Sequence, residues 1–359
     1  MNKRAAISIL ATLFLLGVII QPVMGQEKPK LPKVISITAL GVGGFSHMMA
    51  SGIAEGILAG TGMQCRVEGQ PTSVARLLPL RSGEAELTFV PLFVSSEAAL
   101  GWGNFGRKEW GPQPIRVVYL GPNTFNGQPY VRGNSGVSTI ADLKGKRLAR
   151  VPGMTVTDSI QFGVLAFANL TKDDVKWVTV PGIIKIYDAV LEGTVDVGSA
   201  NPGSPGAYKQ ASSPAGIRWL QLPHDDKEGW ARLFKHAPFM FPMYGEQGAG
   251  ISKEKPLWGI GSPLAIHSYA HLSEDVAYAV TKAIDEKYET LKSIHQQFAG
   301  WTLDACLDSA IAQKMILPYH EGSIKYFKEK GRWTPDFEAA NQKALDLEKQ
   351  RMAEWNAKK

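Results

Sequence analysis

The residues with the clearest capacity for chemistry lie in ISITALGVGGFSHMMASGIAEGIL, residues 35–58, where an apolar run meets a glycine cluster and then a helix-like pattern. A glycine turn that opens a helix presents unpaired backbone N–H groups and the positive end of a dipole, so an anion is its natural guest. Gly41 and Gly43 nearly spell the dinucleotide pattern G-x-G-x-x-G, but Ser46 holds the third position and no acidic residue closes a second strand at the usual distance. Two readings remain: an anion site of another kind, or a tight turn that binds nothing. Ser46 and His47 do not make a hydrolase, because Gly44–Phe45–Ser46–His47–Met48 lacks the closing glycine of a nucleophile elbow. His267 and His271 are four apart, yet their segment reads as strand and then loop, and no cysteine or carboxylate completes a metal set. His224–Asp225–Asp226 reads as a solvated loop, and acidic residues such as those of EDVAYAVTKAIDEKYE fall on presumed helix faces. These patterns assign no catalytic residue and no metal site.

The elements that must position the glycine loop can be read around it. Residues 34–40 are rich in β-branched types and predict a strand, while Phe45, Met49, Ile53 and Ile57 recur every four residues as the stripe of an amphipathic helix. Further strands are expected at 64–68, 86–90, 116–120, 147–151, 175–180, 195–200 and 217–222, with helices around 74–81, 160–168 and 184–191. This alternation predicts α/β layers with largely parallel sheets. The final third is helical in period over 273–295, 303–315 and 337–355, with Ser273 at a helix start. Glycine and proline mark two crossings, GPNTFNGQPYVRGNSG (121–136) and HAPFMFPMYGEQGAG (236–250). They predict a discontinuous first lobe, 26–122 plus 240–359, an inserted second lobe, 123–239, and a cleft between them.

Composition narrows the setting. Lys3 and Arg4 precede an uncharged apolar stretch from Ala5 to Ile20, and Val23 and Gly25 suit a cut before Gln26, so residues 1–25 read as a secretory signal peptide. Export argues further against a nucleotide ligand. Nothing later is long and apolar enough to span a membrane. The chain of 359 residues carries a formal net charge of +6, of which Lys3 and Arg4 supply two. The basic residues are spread out, without the runs of a nucleic-acid binder. Cys65 and Cys306, the two cysteines of the chain, read as buried thiols in preference to a disulfide.

The blocks GVGGFSHMMASGIAEGI, VEGQPTSVARLLPLRSGEAELTFV, ADLKGKRLARVPG, VLEGTVDVGSANPG and YHEGSIKYFKEKG resemble, in order, those of TAXI-type solute-binding proteins. These are the extracytoplasmic receptors of a class of tripartite ATP-independent periplasmic (TRAP) transporters. The resemblance covers essentially all of the chain after residue 25; SGEAEL and LKGKR alone indicate only the wider class of type II periplasmic binding proteins. It implies a type II periplasmic-binding-protein clamshell, two α/β lobes with a helical C-terminal extension. The lobes would close on a small organic anion, an amino acid, a dicarboxylate or a more apolar carboxylate, and present it to TRAP membrane subunits. It further implies a periplasmic binding protein that is not an enzyme and uses no cofactor; a monomer is expected. A periplasmic sensor built on the same clamshell is the alternative.

Carried over by position, Gly43, Gly44, Phe45 and Ser46 would offer backbone N–H groups, with the Ser46 hydroxyl beside them, to a ligand carboxylate. Thr72 and Ser73 are the next contacts, with hydroxyls that can cap a helix, bind ligand, or do both. VPGMTVTDS (151–159) occupies the place of the family's P-G-S-G-T loop, but Met154 and Val156 stand where hydroxyl residues are expected. Thr155 and Thr157 would still offer hydroxyls, and Asp158 suits an N-cap. Pro91–Leu92–Phe93 replaces a commonly polar stretch, with Phe93 or Trp102 placed to pack on a ligand. Asn201 and Ser204, in SANPGSPGAY, would reach the cleft from the second lobe. His320 reads as structural. The departures predict fewer side-chain donors and a more apolar wall, which changes ligand choice and not merely affinity.

Overall fold

Residues 34–40 do become a strand, and it lies inside a sheet, one place in from the edge. A computed structural model of the chain describes residues 31–312 and 315–358, with the side chains of 155–157, 311 and 312 outside the description. The signal peptide expected at 1–25 lies outside the described residues. Strand β1 (Val34–Leu40) runs parallel to β2 (Gln64–Gln70) on one side and β3 (Leu87–Pro91) on the other. Its Ile35, Ile37 and Ala39 and the intervening Ser36 and Thr38 are all buried, as a strand covered on both faces requires. The same sheet continues through β11 (Leu257–Tyr269), antiparallel to β3, which also pairs antiparallel with β4 (Ile115–Phe125) and β10 (Phe241–Gly245). A second sheet holds β5 (Gln128–Arg132), β6 (Arg147–Arg150), β7 (Lys176–Thr179), β8 (Val197–Ala200) and β9 (Ile217–Trp219), in the order β7-β6-β8-β5-β9.

Both sheets are mixed, which corrects the expectation of largely parallel pairing. Strands β5, β10 and most of β11 went unread because glycine and proline interrupt them: Gly259, Gly261 and Pro263 sit within β11. Pro263 is tolerated there because the pairing with β4 shifts register between Pro263 and Ala265, where a missing N–H costs no regular ladder bond.

Helices cover the sheets. They are α1 (Phe45–Thr61), α2 (Ser73–Ser82), α3 (Leu92–Leu100), α4 (Thr155–Phe167), α5 (Ile183–Glu192), α6 (Pro205–Ala211) and α7 (Lys227–Phe234), followed by α8 (Glu274–Glu286), α9 (Tyr288–Ile294), α10 (Leu303–Ala312), α11 (Glu321–Glu329) and α12 (Pro335–Asn356). The stripe of α1 predicted from spacing is the buried one, with Met49, Ile53 and Ile57 at 1% exposure or less. No helix among the described residues is long and apolar enough to cross a membrane. Cys65 and Cys306 are both free, half-buried and buried respectively, and burial pushes each thiol up to about 12, so neither is a ready thiolate.

His320 has the structural role read for it. Its Nδ1 accepts from the Gly322 N–H at 3.1 Å, capping α11, so the ring proton sits on Nε2, 3.0 Å from the Leu272 carbonyl. Gly322 itself lies where α11 meets α8: a Cβ there would stand 2.1 Å from the Glu274 carbonyl oxygen and 2.6 Å from the Tyr278 nitrogen. Backbone cannot yield as a side chain does. Gly322→Ala is therefore expected to cost about 1–3 kcal/mol, more than the fraction of a kcal/mol that alanine adds to a helix end, and chemical denaturation would measure it.

A second outcome concerns His267, fully buried in β11, with neither ring nitrogen at hydrogen-bonding geometry to a partner among the described residues. Desolvation pushes its pKa down to about 3, against a smaller opposing contribution from the Ala265 backbone. The unfolded chain takes up a proton near pH 6.5 that the folded protein refuses until about pH 3, so stability must fall as pH drops through that window. His267→Leu should flatten this acid slope by up to about 1.4 kcal/mol per pH unit. Melting curves at pH 7, 5.5 and 4.5 would show it, and an unchanged slope would count against the neutral imidazole.

Candidate functional site

A cavity of about 100 Å³ opens where loops from both sheets converge. From the first sheet come Leu40 at the end of β1, Gly44, Phe45 and Ser46 at the start of α1, Arg76 in α2, Pro91 at the end of β3, and Leu264 in β11. From the second come Asn126 and Gly127 before β5, Met154 before α4, Ile183, Ile184 and Tyr187 in α5, Ser199 and Ala200 at the end of β8, and Asn201 and Ser204 between β8 and α6. Most of this wall is apolar.

The glycine loop works by division of labour. Gly43 takes φ of +86°, which glycine alone adopts without strain, and turns the chain; Gly44 follows at φ −85° as the N-cap of α1. No side chain caps α1 and no acidic residue lies in its first turn, so its leading N–H groups are left for a guest. The Ser46 hydroxyl is already engaged. It donates to the Phe89 carbonyl at 3.2 Å and accepts from the Leu40 N–H at 3.3 Å, tying the end of β1 to β3.

Arg76 is the residue that sequence reasoning missed. It is 1% exposed, lines the cavity, and donates from Nη1 to the Phe89 carbonyl and from Nη2 to Ser73 Oγ, both at 3.3 Å. Its Nε is buried without a hydrogen-bond partner. Desolvation alone lowers its pKa, to about 9, with no neighbouring charge contributing, so it stays cationic at neutral pH. A buried charge is normally paired, and this one faces a cavity with no acid on its wall. A signal was available: the buried face of α2 is Ser73, Arg76, Leu77 and Leu80, spaced i, i+3, i+4, i+7. An arginine inside an apolar stripe is the anomaly that points to it.

Of the other residues singled out from sequence, Phe45 and Gly44 line the cavity with their neighbour Ser46, whereas Gly43 is exposed on the far side of the turn. Thr72 caps α2, accepting from the Ala75 N–H at 3.1 Å, and Ser73 holds Arg76 instead of standing on the wall. Phe93 is corrected: at 1% exposure it packs in the core beside Phe239, their ring centres 6.5 Å apart, because α3 begins directly at the end of β3 and turns that side chain inward. Trp102 also lies against Phe239, at 5.7 Å. The side chains of Thr155 and Thr157 lie outside the described residues. Asn201 and Ser204 reach the cavity, but Asn201 spends its amide on the Phe125 carbonyl, at 2.6 Å, and its oxygen on the Gly203 N–H. Ser204 caps α6 and shares a 2.5 Å hydrogen bond with Tyr187.

Three outcomes follow. Arg76→Met should leave the ligand-free protein as stable or raise its Tm, because it removes an unpaired buried charge, while weakening anion binding about a hundredfold through loss of a desolvated charge-assisted contact. Arg76, at about 9, and Tyr187, pushed up to about 12 by burial, are the titratable side chains on the wall. Anion affinity should therefore be flat from pH 6 to 8, because desolvation lowers the Arg76 pKa without bringing it into that range. At Gly44 an added Cβ would meet the Gly41 oxygen at 3.2 Å and Ile184 Cδ1, from the opposite sheet's side, at 3.4 Å. Gly44→Val should wedge the cleft and weaken binding at unchanged fold; calorimetric titration would read all three.

Comparison with known proteins agrees with this architecture. The periplasmic binding protein BugD is similar in structure, with 11% identity over 84% of this chain and 99% of that one and a TM-score of 0.55. PhnD1 from Prochlorococcus marinus, solved in complex with methylphosphonate, shares 11% identity over 76% of this chain and 92% of its own, with a TM-score of 0.50. At such identities the likeness establishes the fold alone. The NMT1-like family model matches residues 37–331, from β1 through α11. The chain belongs to the NMT1-like family and folds as a two-lobed α/β periplasmic binding protein.

Proposed function

We propose that this protein is an extracytoplasmic solute-binding receptor that captures a small organic anion between two lobes and releases it to the membrane subunits of a TRAP transporter. The observation that carries the capture step is Arg76: a buried cation, unpaired among the described residues, on the wall of a cavity to which both sheets contribute. The family membership and fold are compatible with a receptor, and the ordered TAXI-like blocks are what favour TRAP subunits as recipient. The lobes are taken as 26–122 with 240–359, and 123–239. Residues 1–25 direct export and are removed, leaving a periplasmic monomer that binds its solute without altering it.

Capture would proceed by closure. In the open form the N–H groups at the start of α1 and the Arg76 guanidinium await the anion; the second lobe then folds over it with Ile184, Tyr187 and Asn126. The ligand shifts the population toward the closed form by as much as it prefers that form. A thermal-shift panel of amino acids, dicarboxylates and monocarboxylates tests the reading. A ligand at a hundredfold its Kd adds about 2.7 kcal/mol, enough to raise the Tm visibly, and X-ray scattering should show the radius of gyration contract with the same compound. A panel without any shift would refute capture of a small organic anion, and an N-terminus other than Gln26 in the exported protein would refute the proposed cut.

A further inference from the structure

Resting on the capture reading above, we infer that the cleft selects a small organic monoanion without an ammonium group: a short- or branched-chain monocarboxylate, 2-oxo acids included. The charges on the wall decide this. Among the described lining residues Arg76 is the one with a full charge, and no aspartate, glutamate, lysine or histidine accompanies it. Thr155, Val156 and Thr157, whose side chains are outside the description, are uncharged by type. One cation matches one carboxylate.

An amino acid would bring a second group, an ammonium with three donors and a positive charge. No acid on the described wall waits for it, and most of the hydroxyl and amide groups nearby are engaged; the Asn126 amide oxygen is a neutral acceptor and not a counter-charge. Ser199 Oγ donates to the Gly127 carbonyl at 2.9 Å, Asn201 Oδ1 accepts from the Gly203 N–H at 2.7 Å, and Ser204 Oγ is shared between Tyr187 and its helix cap. An ammonium taken from water into this cleft would stand near a guanidinium with nothing to compensate it, which is a large penalty in a low-dielectric site. A dicarboxylate fails for the mirror reason: its second carboxylate finds no second cation.

The remainder of the wall says what the rest of the ligand is. Leu40, Phe45, Pro91, Met154, Ile184 and Leu264 offer carbon to carbon. The volume of about 100 Å³ suits a ligand of several heavy atoms, since an apolar cavity of roughly 150 Å³ is enough for benzene. Arg76 Nε, buried and without a hydrogen-bond partner among the described residues, is a donor that a carboxylate could satisfy. The Asn126 side chain, half-buried on the wall and without a hydrogen bond among the described residues, is placed to meet a 2-oxo group.

Calorimetric titration of the full chain with 3-methylbutanoate, 4-methyl-2-oxopentanoate, leucine and succinate tests this. Leucine has the carbon skeleton of the oxo acid and differs at C2, where an ammonium and a hydrogen replace the oxo oxygen, and 3-methylbutanoate, which has neither group, shows what the oxo group adds. The two monocarboxylates should bind, with leucine and succinate at least a hundredfold weaker, and affinity should rise about fourfold for each CH₂ added from acetate upward, the equivalent of about 0.8 kcal/mol. Leucine or succinate binding within tenfold of the monocarboxylates overturns the ligand class and leaves capture standing. Silence toward all four, in a protein shown folded by circular dichroism, overturns the ligand class and the capture reading together.

Discussion

A guanidinium held out of water, with no carboxylate beside it among the described residues, is the constraint around which the cleft is organised. The hydrogen bonds from Arg76 to the Phe89 carbonyl and Ser73 Oγ recover part of the lost hydration, but they are dipoles and not a counter-charge. The burden is borne by the apolar mass around it, since Leu77 and Leu80 on the same helix face and Phe89 on β3 are at 1% exposure or less. A site of this kind is held in a costly state by its scaffold and is relieved by its ligand. That is how a binding protein keeps most of its affinity for a guest of the right charge.

The cavity is also wired to the chain crossings. Gln128, fully buried at the start of β5, donates to the Leu220 carbonyl at 2.7 Å and accepts from the Ile260 N–H at 3.0 Å, so it binds the second sheet's strands to β11 of the first. Gly259 must be glycine beside it, because a Cβ there would lie 2.1 Å from the Gln128 oxygen. Asn201 belongs to both regions: it stands on the cavity wall and donates to the Phe125 carbonyl in the crossing segment.

Much of the frame was legible in the chain. The β-branched run of β1, the four-residue spacing of Met49, Ile53 and Ile57, and the glycine turn between them were readable because each depends on contacts within one or two turns of backbone. What escaped has physical causes that can be named. Strand β11 is broken up by Gly259, Gly261 and Pro263 and is recognisable as a strand only beside β3, β4 and β10. Phe93 was misjudged and Arg76 was not singled out: an aromatic after a strand end looked like a ligand wall and belongs to the core, while an arginine in the buried stripe of α2 lines the cavity.

The amino-acid sequence by itself determined most strands of the first two-thirds, β5 excepted, and several of the helices between them, the helical character of the end, the free N–H groups at the start of α1, and the scarcity of hydroxyl donors at Met154 and Pro91. Local propensity and patterning suffice for these. Tertiary structure alone decided that Arg76 is buried and unpaired among the described residues, that the Ser46, Ser204 and Asn201 side chains are spent on internal hydrogen bonds, and that residues as distant as Leu40 and Ser204 share one wall. Burial and charge compensation are sums over neighbours far apart in the chain, and those neighbours exist only once the two sheets have been brought together.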